Sequence, residues 1–281
     1  MMNDLPLVSV VIPTYNRAYI LQDAINSALE QRSANTEVIV VDDGSTDDTA
    51  ALVAGYKERV IYLRQTNQGA GVARSLGVRS AQGTYIAFLD SDDVWVSDKV
   101  KTELDMFEAF TEAGAIASDA DSWFENNLVE TSWLSAKQGA RIPAEPHFFS
   151  PDRTIWMQGS LFATSSLIIR RSCLESLGDP LFDPRLRFFE DWDLEIRLLS
   201  ISRILIVPKV LASIRRYPDG TRANRATPGK DLTPEQVQDA LRVRLQVLQN
   251  AIALGGWPNS IARELEEVRN GIRNQLLEVR A

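Results

Sequence analysis

A chain of 281 residues, 44% hydrophobic and 24% charged, can bury a substantial core as one large domain or one domain with an appendage. Its formal net charge of −8 excludes the basic face that nucleic-acid binding requires. A single cysteine, Cys173, and a single histidine, His147, exclude internal disulfides and cysteine or multi-histidine zinc centres, and His147 itself reads as a surface or packing residue.

The first half alternates strand and helix signals. Val8 to Ile12 is a short, mostly β-branched run stopped by Pro13. Between Ala18 and Arg32, the residues Leu21, Ile25, Ala28 and Leu29 fall on one helical face. Glu37 to Val41 is a second buried strand that runs into Asp42-Asp43-Gly44-Ser45. Ser45 or Thr46 is placed to cap the next helix, with Asp47 and Asp48 in its first turn. Asp42 reads as a cap or turn residue and Asn16 as a helix N-cap. A third strand spans Val60 to Leu63, a helix runs from about Val72 to Ala81, and Tyr85 to Leu89 is a fourth strand. Unbroken apolar strands separated by amphipathic helices indicate an α/β fold, a mainly parallel Rossmann-like sheet covered by helices on both faces.

Beyond it, Val100, Leu104 and Phe107 mark a helix and Ala115 to Ala117 a strand. The polar stretch from about Asp119 to Met157, with Trp123, Trp133 and Trp156, reads as an insertion lining a site, with packing alone as the alternative account of the tryptophans. A strand at Ser166 to Ile169, a helix from Asp191 to Leu199 and a strand at Ile204 to Val207 follow. From Thr233 onward Leu241, Leu245, Leu248 and Ile252 space one helix, and a second runs from Ile261 to Val279. The expected division is a main domain over 1–220 and a C-terminal helical hairpin over 221–281. The hairpin carries Arg242, Arg244, Arg263, Arg269 and Arg273 and reads as a docked, solvated element, with a membrane-surface or homo-oligomer contact as the alternative. No apolar stretch approaches a membrane span and no basic-then-apolar leader opens the chain, so the expectation is a cytoplasmic protein with at most peripheral membrane contact.

The sharpest signal is the end of the fourth strand, Leu89-Asp90-Ser91-Asp92-Asp93. Carboxylates ejected from a buried strand stand at the sheet rim where α/β folds bind ligands. Their repulsion calls for a cation, and oxygen-only donors suit Mn²⁺ or Mg²⁺ with positions left open for substrate phosphates. A solvated acidic turn is the plain alternative. Phe88 to Val94 also fits the nucleophile motif of haloacid dehalogenase-like phosphatases, but that motif usually lies on the first strand, and here two strand–helix units precede it. Gly69-Ala70-Gly71-Val72-Ala73-Arg74 stands where a dinucleotide fingerprint would, yet Arg74 in its sixth position obstructs close helix–strand packing. No acidic residue follows at the ribose position, so a nicotinamide enzyme is excluded.

Taken together, Val10 to Arg17 (with Pro13-Thr14-Tyr15-Asn16), Val38 to Asp47, Asn67 to Arg74, Gly83 to Asp93 and Phe189 to Leu194 resemble, in order and spacing, the motifs of family 2 inverting glycosyltransferases of the GT-A fold. The resemblance covers roughly the first 215 residues. It implies a metal-dependent transfer of a single sugar from a nucleotide-sugar, with UDP the expected nucleotide, to a hydroxyl on a glycan, lipid-linked precursor or protein. It implies that Pro13, Thr14, Tyr15, Asp43, Arg74, Asp90 and Ser91 form the donor nucleotide site, with Thr14 and Tyr15 on the base and Asp43 accepting from a uracil-like N3–H. Asp90 and Asp92 fill the Asp-x-Asp roles on ribose and metal, and Asp92 and Asp93 are both candidates for the direct metal ligand. Asp191 stands as the general base, with Glu190 and Trp192 shaping the acceptor pocket. Many relatives carry a histidine after the strand that ends near Pro208; here Ser213 to Arg222 has none, and Arg216, Arg222 or Arg225 are the candidates to hold the diphosphate. A catalytically silent nucleotide-sugar-binding module is the alternative from a different class.

Overall fold

In the computed structural model, residues 7–32, 34–138, 142–150, 157, 159–186, 188–217, 234–255 and 257–278 are described. The unbroken Val/Ile runs form β1 (Leu7–Thr14) and β2 (Asn35–Asp42), whose apolar residues are buried on both faces as such runs require. They pair in parallel with Thr14 opposite Asp42. β3 (Ile61–Arg64) extends the sheet beyond β2, and β4 (Tyr85–Phe88) pairs with β1 on its other side, again in parallel. The crossovers are α1 (Leu21–Leu29), α2 (Thr49–Ala54) and α3 (Ala70–Ser80). Strand order therefore reverses between β1 and β4, the switch point at which open α/β sheets hold ligands.

The second half adds β5 (Val94–Trp95), α4 (Lys99–Ala109), β6 (Ala113–Phe124), β7 (Asn127–Glu130), α5 (Trp133–Gln138) and β8 (His147–Phe148). It continues with β9 (Leu167–Arg170), α6 (Arg171–Ser176), α7 (Glu190–Ile201) and β10 (Arg203–Arg216). β9 lies antiparallel between β4 and β6, while β6 and β10 run parallel. β5 closes the order antiparallel to β10; β7 pairs with β6 and β8 with β10. The sheet is thus mixed beyond β4.

Local details depart from the expectations. The short strand expected at Ala115 is part of the 12-residue β6, which reaches through Asp119. Its Ala, Ser and Asp residues have little strand preference of their own, and pairing with β9 and β10 imposes the conformation. Ser45 and Thr46 do not cap α2: Asp47 Oδ1 accepts the Thr49 N–H at 3.1 Å and its hydroxyl at 2.6 Å. Asn16 is no N-cap; it takes a left-handed φ of 52° and its Oδ1 accepts the Thr46 N–H at 2.8 Å, tying the two rim loops together. Asp42 does make a turn, accepting the Ser45 N–H at 2.7 Å and the Tyr62 hydroxyl at 2.5 Å. In the expected insertion, Asp119 anchors the Ser132 hydroxyl and the Leu134 N–H, and the Trp133 indole donates to the Leu161 carbonyl; Trp156 lies outside the described residues.

α8 (Pro234–Leu254) and α9 (Asn259–Glu278) form the hairpin. Val247, Leu248, Ala251, Ile261 and Leu265 join the same buried cluster as Phe182, Trp192 and Leu198, and Asn250 donates to Asp193 at 3.1 Å. Burial of that face docks the hairpin on α7. The expected boundary near residue 220 lies outside the described residues. Among the described residues no helix is long and apolar enough to cross a membrane.

Candidate active site

Because β1, β2 and β4 are parallel, their C-terminal ends bring Thr14, Asp43 and Asp90 to one rim. The Asp43 N–H donates to the Thr14 carbonyl at 2.8 Å. The Asp43 carboxylate is buried and engaged: Oδ1 accepts from Gln65 Nε2 and the Gln68 N–H, Oδ2 from the Gly69 N–H, each at 2.8 Å. This shapes the turn into α3, where Gly69 takes a φ of 97° that only glycine adopts freely. Pro13 is buried in β1, the Thr14 hydroxyl is buried without a partner among the described residues, and the Tyr15 ring is 46% exposed beside it.

Arg74 is the link between halves of the site. Its guanidinium is buried, with Nη2 at 2.6 Å from Asp90 Oδ1 and Nη1 at 2.9 Å from Glu190 Oε1. Burial works against its charge, but the two carboxylates outweigh that and push its pKa up. Gly71 permits the approach, since a Cβ there would meet Phe182 Cβ at 3.1 Å and Glu190 Cγ at 3.2 Å. The paired glycines that mimic a dinucleotide fingerprint thus serve a turn and a helix contact.

The acidic loop is held from the antiparallel side. Ser165 accepts the Asp90 N–H at 3.0 Å and donates to Asp93 Oδ2 at 2.6 Å; Asp93 Oδ1 accepts the Arg215 N–H at 2.9 Å. Asp92 faces Arg17 at 3.6 Å, and Ser91 is buried between the acids. The Asp90 side chain is 32% exposed, the most open of the three, and its Oδ2 has no hydrogen-bond partner among the described residues. The described residues hold no group of three or more metal-ligating side chains. A Mg²⁺- or Mn²⁺-type site needs only one or two carboxylates, with water and phosphate completing it, so this oxygen donor set fits.

α7 begins under strain. Phe189 has a left-handed φ of 61°, which for a bulky residue costs of order 1–3 kcal/mol. Its carbonyl accepts the Asp193 N–H at 3.0 Å, and its ring meets Trp192 edge-on at 5.9 Å. The turn sets Glu190 and Asp191 at the helix start, where Asp191 Oδ1 accepts the Trp192 N–H at 2.8 Å. Burial pushes Asp191 up, opposed by that N–H and Arg74 and reinforced by Asp90. Burial also takes Glu190 up to about 7, with Arg74 opposing and Asp191 adding. Trp192, expected in the acceptor pocket, is fully buried in the core, so it supports the α7 start from behind and offers no surface to an acceptor.

One turn on, Glu195 is buried, and burial followed by the Asp191 charge pushes it up to about 8. A carboxyl whose folded pKa is raised binds more protons folded than unfolded between its two pKa values, so stability falls as pH rises through that window. The expected result is an unfolding midpoint that falls from about pH 5 to about pH 8 and then levels. Thermal denaturation across pH checks this, and Glu195→Gln should flatten the fall; an unchanged slope in that variant would remove Glu195 as its source.

The family model for Glycosyl transferase family 2 matches residues 9–178, which span this rim and end before α7. The chain belongs to glycosyltransferase family 2. An uncharacterized glycosyltransferase of Rickettsia prowazekii is 30% identical over 210 residues, 75% of this chain and 64% of that one; a Rickettsia felis counterpart is covered over 33% of its length. The chain therefore spans between about a third and two thirds of these relatives. An Escherichia coli relative, 32% identical over 69% of this chain and 70% of its own, is a UDP-Glc:alpha-D-GlcNAc-diphosphoundecaprenol beta-1,3-glucosyltransferase. The Staphylococcus aureus TarS 1–349 complex with UDP-GlcNAc shares the fold, with a TM-score of 0.70 at 20% identity, covering 97% of this chain and 72% of that one. A Pyrobaculum calidifontis mannosyltransferase bound to GDP-Man and Mn²⁺ has a TM-score of 0.65 at 19% identity, covering 93% and 68%.

For this family 2 chain, several site residues escaped sequence reasoning. Arg17 was in view within the first motif but carried no role; Ser165, Arg215 and Ser160 gave no signal because they reach the site only through distant pairing. Glu195 did leave one, a charge among apolar neighbours on a buried helix. Of the arginines considered for the diphosphate, Arg216 lies over Trp133 at 5.5 Å, and Arg222 and Arg225 fall outside the described residues.

Proposed function

We propose that the chain transfers a single sugar from a nucleotide-sugar, best fitted by a UDP-sugar, to a hydroxyl acceptor by one inverting displacement. The observation that carries this is Arg74 bridging Asp90 and Glu190, which sets the donor rim beside the helix that presents Asp191. Asp191 acts as general base, kept close to a helix N-terminus that favours its ionised form, and Glu190 borders the acceptor. The exposed Tyr15 ring and the unpartnered Thr14 hydroxyl suit a base, and Asp43 retains about one of its four lone-pair sites for an N3–H. Asp90 and Ser91 serve the ribose. Asp92 ranks ahead of Asp93 as metal ligand, since both Asp93 oxygens are already bonded. It would hold Mn²⁺ or Mg²⁺, which supplies positive charge to the departing diphosphate. The acceptor named for the Escherichia coli relative, a GlcNAc-diphosphoundecaprenol, favours a lipid-linked acceptor hydroxyl.

The test is a thermal-shift screen of UDP, GDP and ADP with and without Mn²⁺. A ligand at a hundred times its dissociation constant stabilises by about 2.7 kcal/mol, an easily read shift. Selective, Mn²⁺-enhanced stabilisation by UDP is expected; equal response to all three would show that the base is not read. Asp43→Asn should weaken UDP binding by about 1.5–3 kcal/mol, the range for a hydrogen bond to a charged group, as measured by titration calorimetry. Binding with no turnover of any donor would leave a nucleotide-sugar-binding module.

A further inference from the structure

The sheet rim carries one more side chain with unused hydrogen-bonding capacity. Gln65 follows β3, and its backbone N–H donates to the Asp42 carbonyl at 2.9 Å, which fixes it at the third strand end beside β2. The side chain is partly buried, and Nε2 lies 2.8 Å from Asp43 Oδ1. A carboxylate only accepts, so the amide must turn its nitrogen, not its oxygen, to Asp43. That nitrogen has a second proton, which has no partner among the described residues.

Asp43 and Gln65 therefore present an open acceptor beside an open donor. Oδ1 already takes two bonds, from Gln65 and the Gln68 N–H, whereas Oδ2 takes one, from the Gly69 N–H. The remaining acceptor site is on Oδ2. We propose that Gln65 is a specificity-determining residue for the donor nucleotide: its second amide proton goes to O4 of a uracil whose N3–H is accepted by Asp43 Oδ2. The inference rests on reading this rim as the UDP site. There the ribose lies toward Asp90, at the switch point between β1 and β4, while β3 is on the far side of β2. A base extended in that direction turns O2 back toward its sugar and O4 toward β3, where Gln65 stands.

What such a pair reads is the order of donor and acceptor. Uracil offers N3–H and then O4; cytosine offers the reverse, an N3 acceptor and an N4–H₂ donor. Against cytosine, Asp43 faces a lone pair and Gln65 faces an N–H, so both contacts are lost and both groups are left unsatisfied. Gln65 also places a proton between the ring carbonyl and the carboxylate, two oxygens that otherwise repel. Adenine shares the order of cytosine, and thymine and guanine share that of uracil. The pair thus sorts bases by edge and not by ring size.

The test is titration calorimetry of the full chain with Mn²⁺ below neutral pH, using UDP, CDP, 2-thio-UDP and 4-thio-UDP beside the near-isosteric Gln65→Met. In the wild type CDP should bind about 5- to 150-fold more weakly than UDP, the discrimination of a two-bond edge contact. Sulfur accepts poorly, so 4-thio-UDP should also bind more weakly, and 2-thio-UDP should not. Gln65→Met leaves the Gln68 and Gly69 N–H groups on Asp43, so the turn into α3 should hold. UDP should then lose about 2- to 12-fold, the worth of one neutral hydrogen bond, and 4-thio-UDP should become its equal. Equal weakening of all four nucleotides in Gln65→Met would mean that Gln65 only shapes the turn, and the proposal falls. Equal binding of UDP and 4-thio-UDP by the wild type, a comparison that needs no variant, would overturn it as well. A penalty on 2-thio-UDP instead would overturn the contact at O4. Failure of the underlying reading is distinct: a wild type that binds no UDP removes the nucleotide site itself, and the role of Gln65 with it.

Discussion

Asp191→Asn is expected to lower sugar transfer by about 10²–10⁴-fold while UDP affinity barely moves. The amide is nearly isosteric and its oxygen can still accept the Trp192 N–H, so the start of α7 should be preserved. It cannot take the acceptor's proton. Removing the negative charge also relieves Glu190, whose pKa Asp191 helps to raise, so the variant should keep the Arg74–Glu190 pair at least as firmly. Initial rates of transfer from UDP-glucose or UDP-N-acetylglucosamine, beside calorimetric UDP titration, give the comparison. Slow hydrolysis with water as acceptor should persist, since water needs less positioning than a sugar hydroxyl. Near-normal transfer would move the base to Glu190 or Asp193. Both are poor substitutes: Glu190 is committed to Arg74, and Asp193 is 2% exposed and paired with Arg197 at 2.8 Å.

The part of the fold legible in the sequence is the part specified locally. β1, β2 and β4 are apolar on both faces, and a run such as Val38 to Val41 has little choice but to be buried between helices. β6 and β10 are long because they pair with each other. The bulge between Val207 and Val210, around Pro208 and Lys209, hides the continuation of β10 from any periodicity. The antiparallel insertion of β9 between β4 and β6 is equally invisible, since nothing in Leu167–Arg170 encodes its direction.

The site divides the same way. Parallel strands end on one side, so polar residues following buried runs had to share a rim, and Thr14, Asp43 and Asp90 do. The contacts that give these residues their state come from far along the chain. Arg74 meets Glu190 across 116 positions, and Asp93 meets Ser165 across 72 and the Arg215 N–H across 122. Asp93 and Asp92 look equivalent as letters; their hydrogen bonds make one a brace and leave the other facing a cation. Trp192 shows the opposite error, an aromatic beside candidate catalytic residues whose ring belongs to the core.

That difference between neighbouring aspartates yields a paired result. Asp92→Ala should remove the Mn²⁺-dependent gain in UDP binding while the chain stays folded. The substitution costs the Arg17 contact, but at 3.6 Å this is a loose pair, and Arg17 keeps its hydrogen bond to the Tyr19 hydroxyl at 3.0 Å. Asp93→Ala should do the reverse. It strips the partner from the Ser165 hydroxyl and from the Arg215 N–H, and each buried donor left unsatisfied costs about 1–3 kcal/mol. The unfolding midpoint should therefore drop in Asp93→Ala, with the metal-dependent part of UDP binding retained below that midpoint. Thermal denaturation gives the first reading and calorimetric UDP titration with and without Mn²⁺ the second, neither depending on turnover. Unchanged Mn²⁺ enhancement in Asp92→Ala would take Asp92 out of the metal site. Loss of enhancement confined to a folded Asp93→Ala would mean that the Ser165 and Arg215 bonds yield to the metal, because a carboxylate with both oxygens donated to protein hydrogen bonds must release one of them before it can ligate.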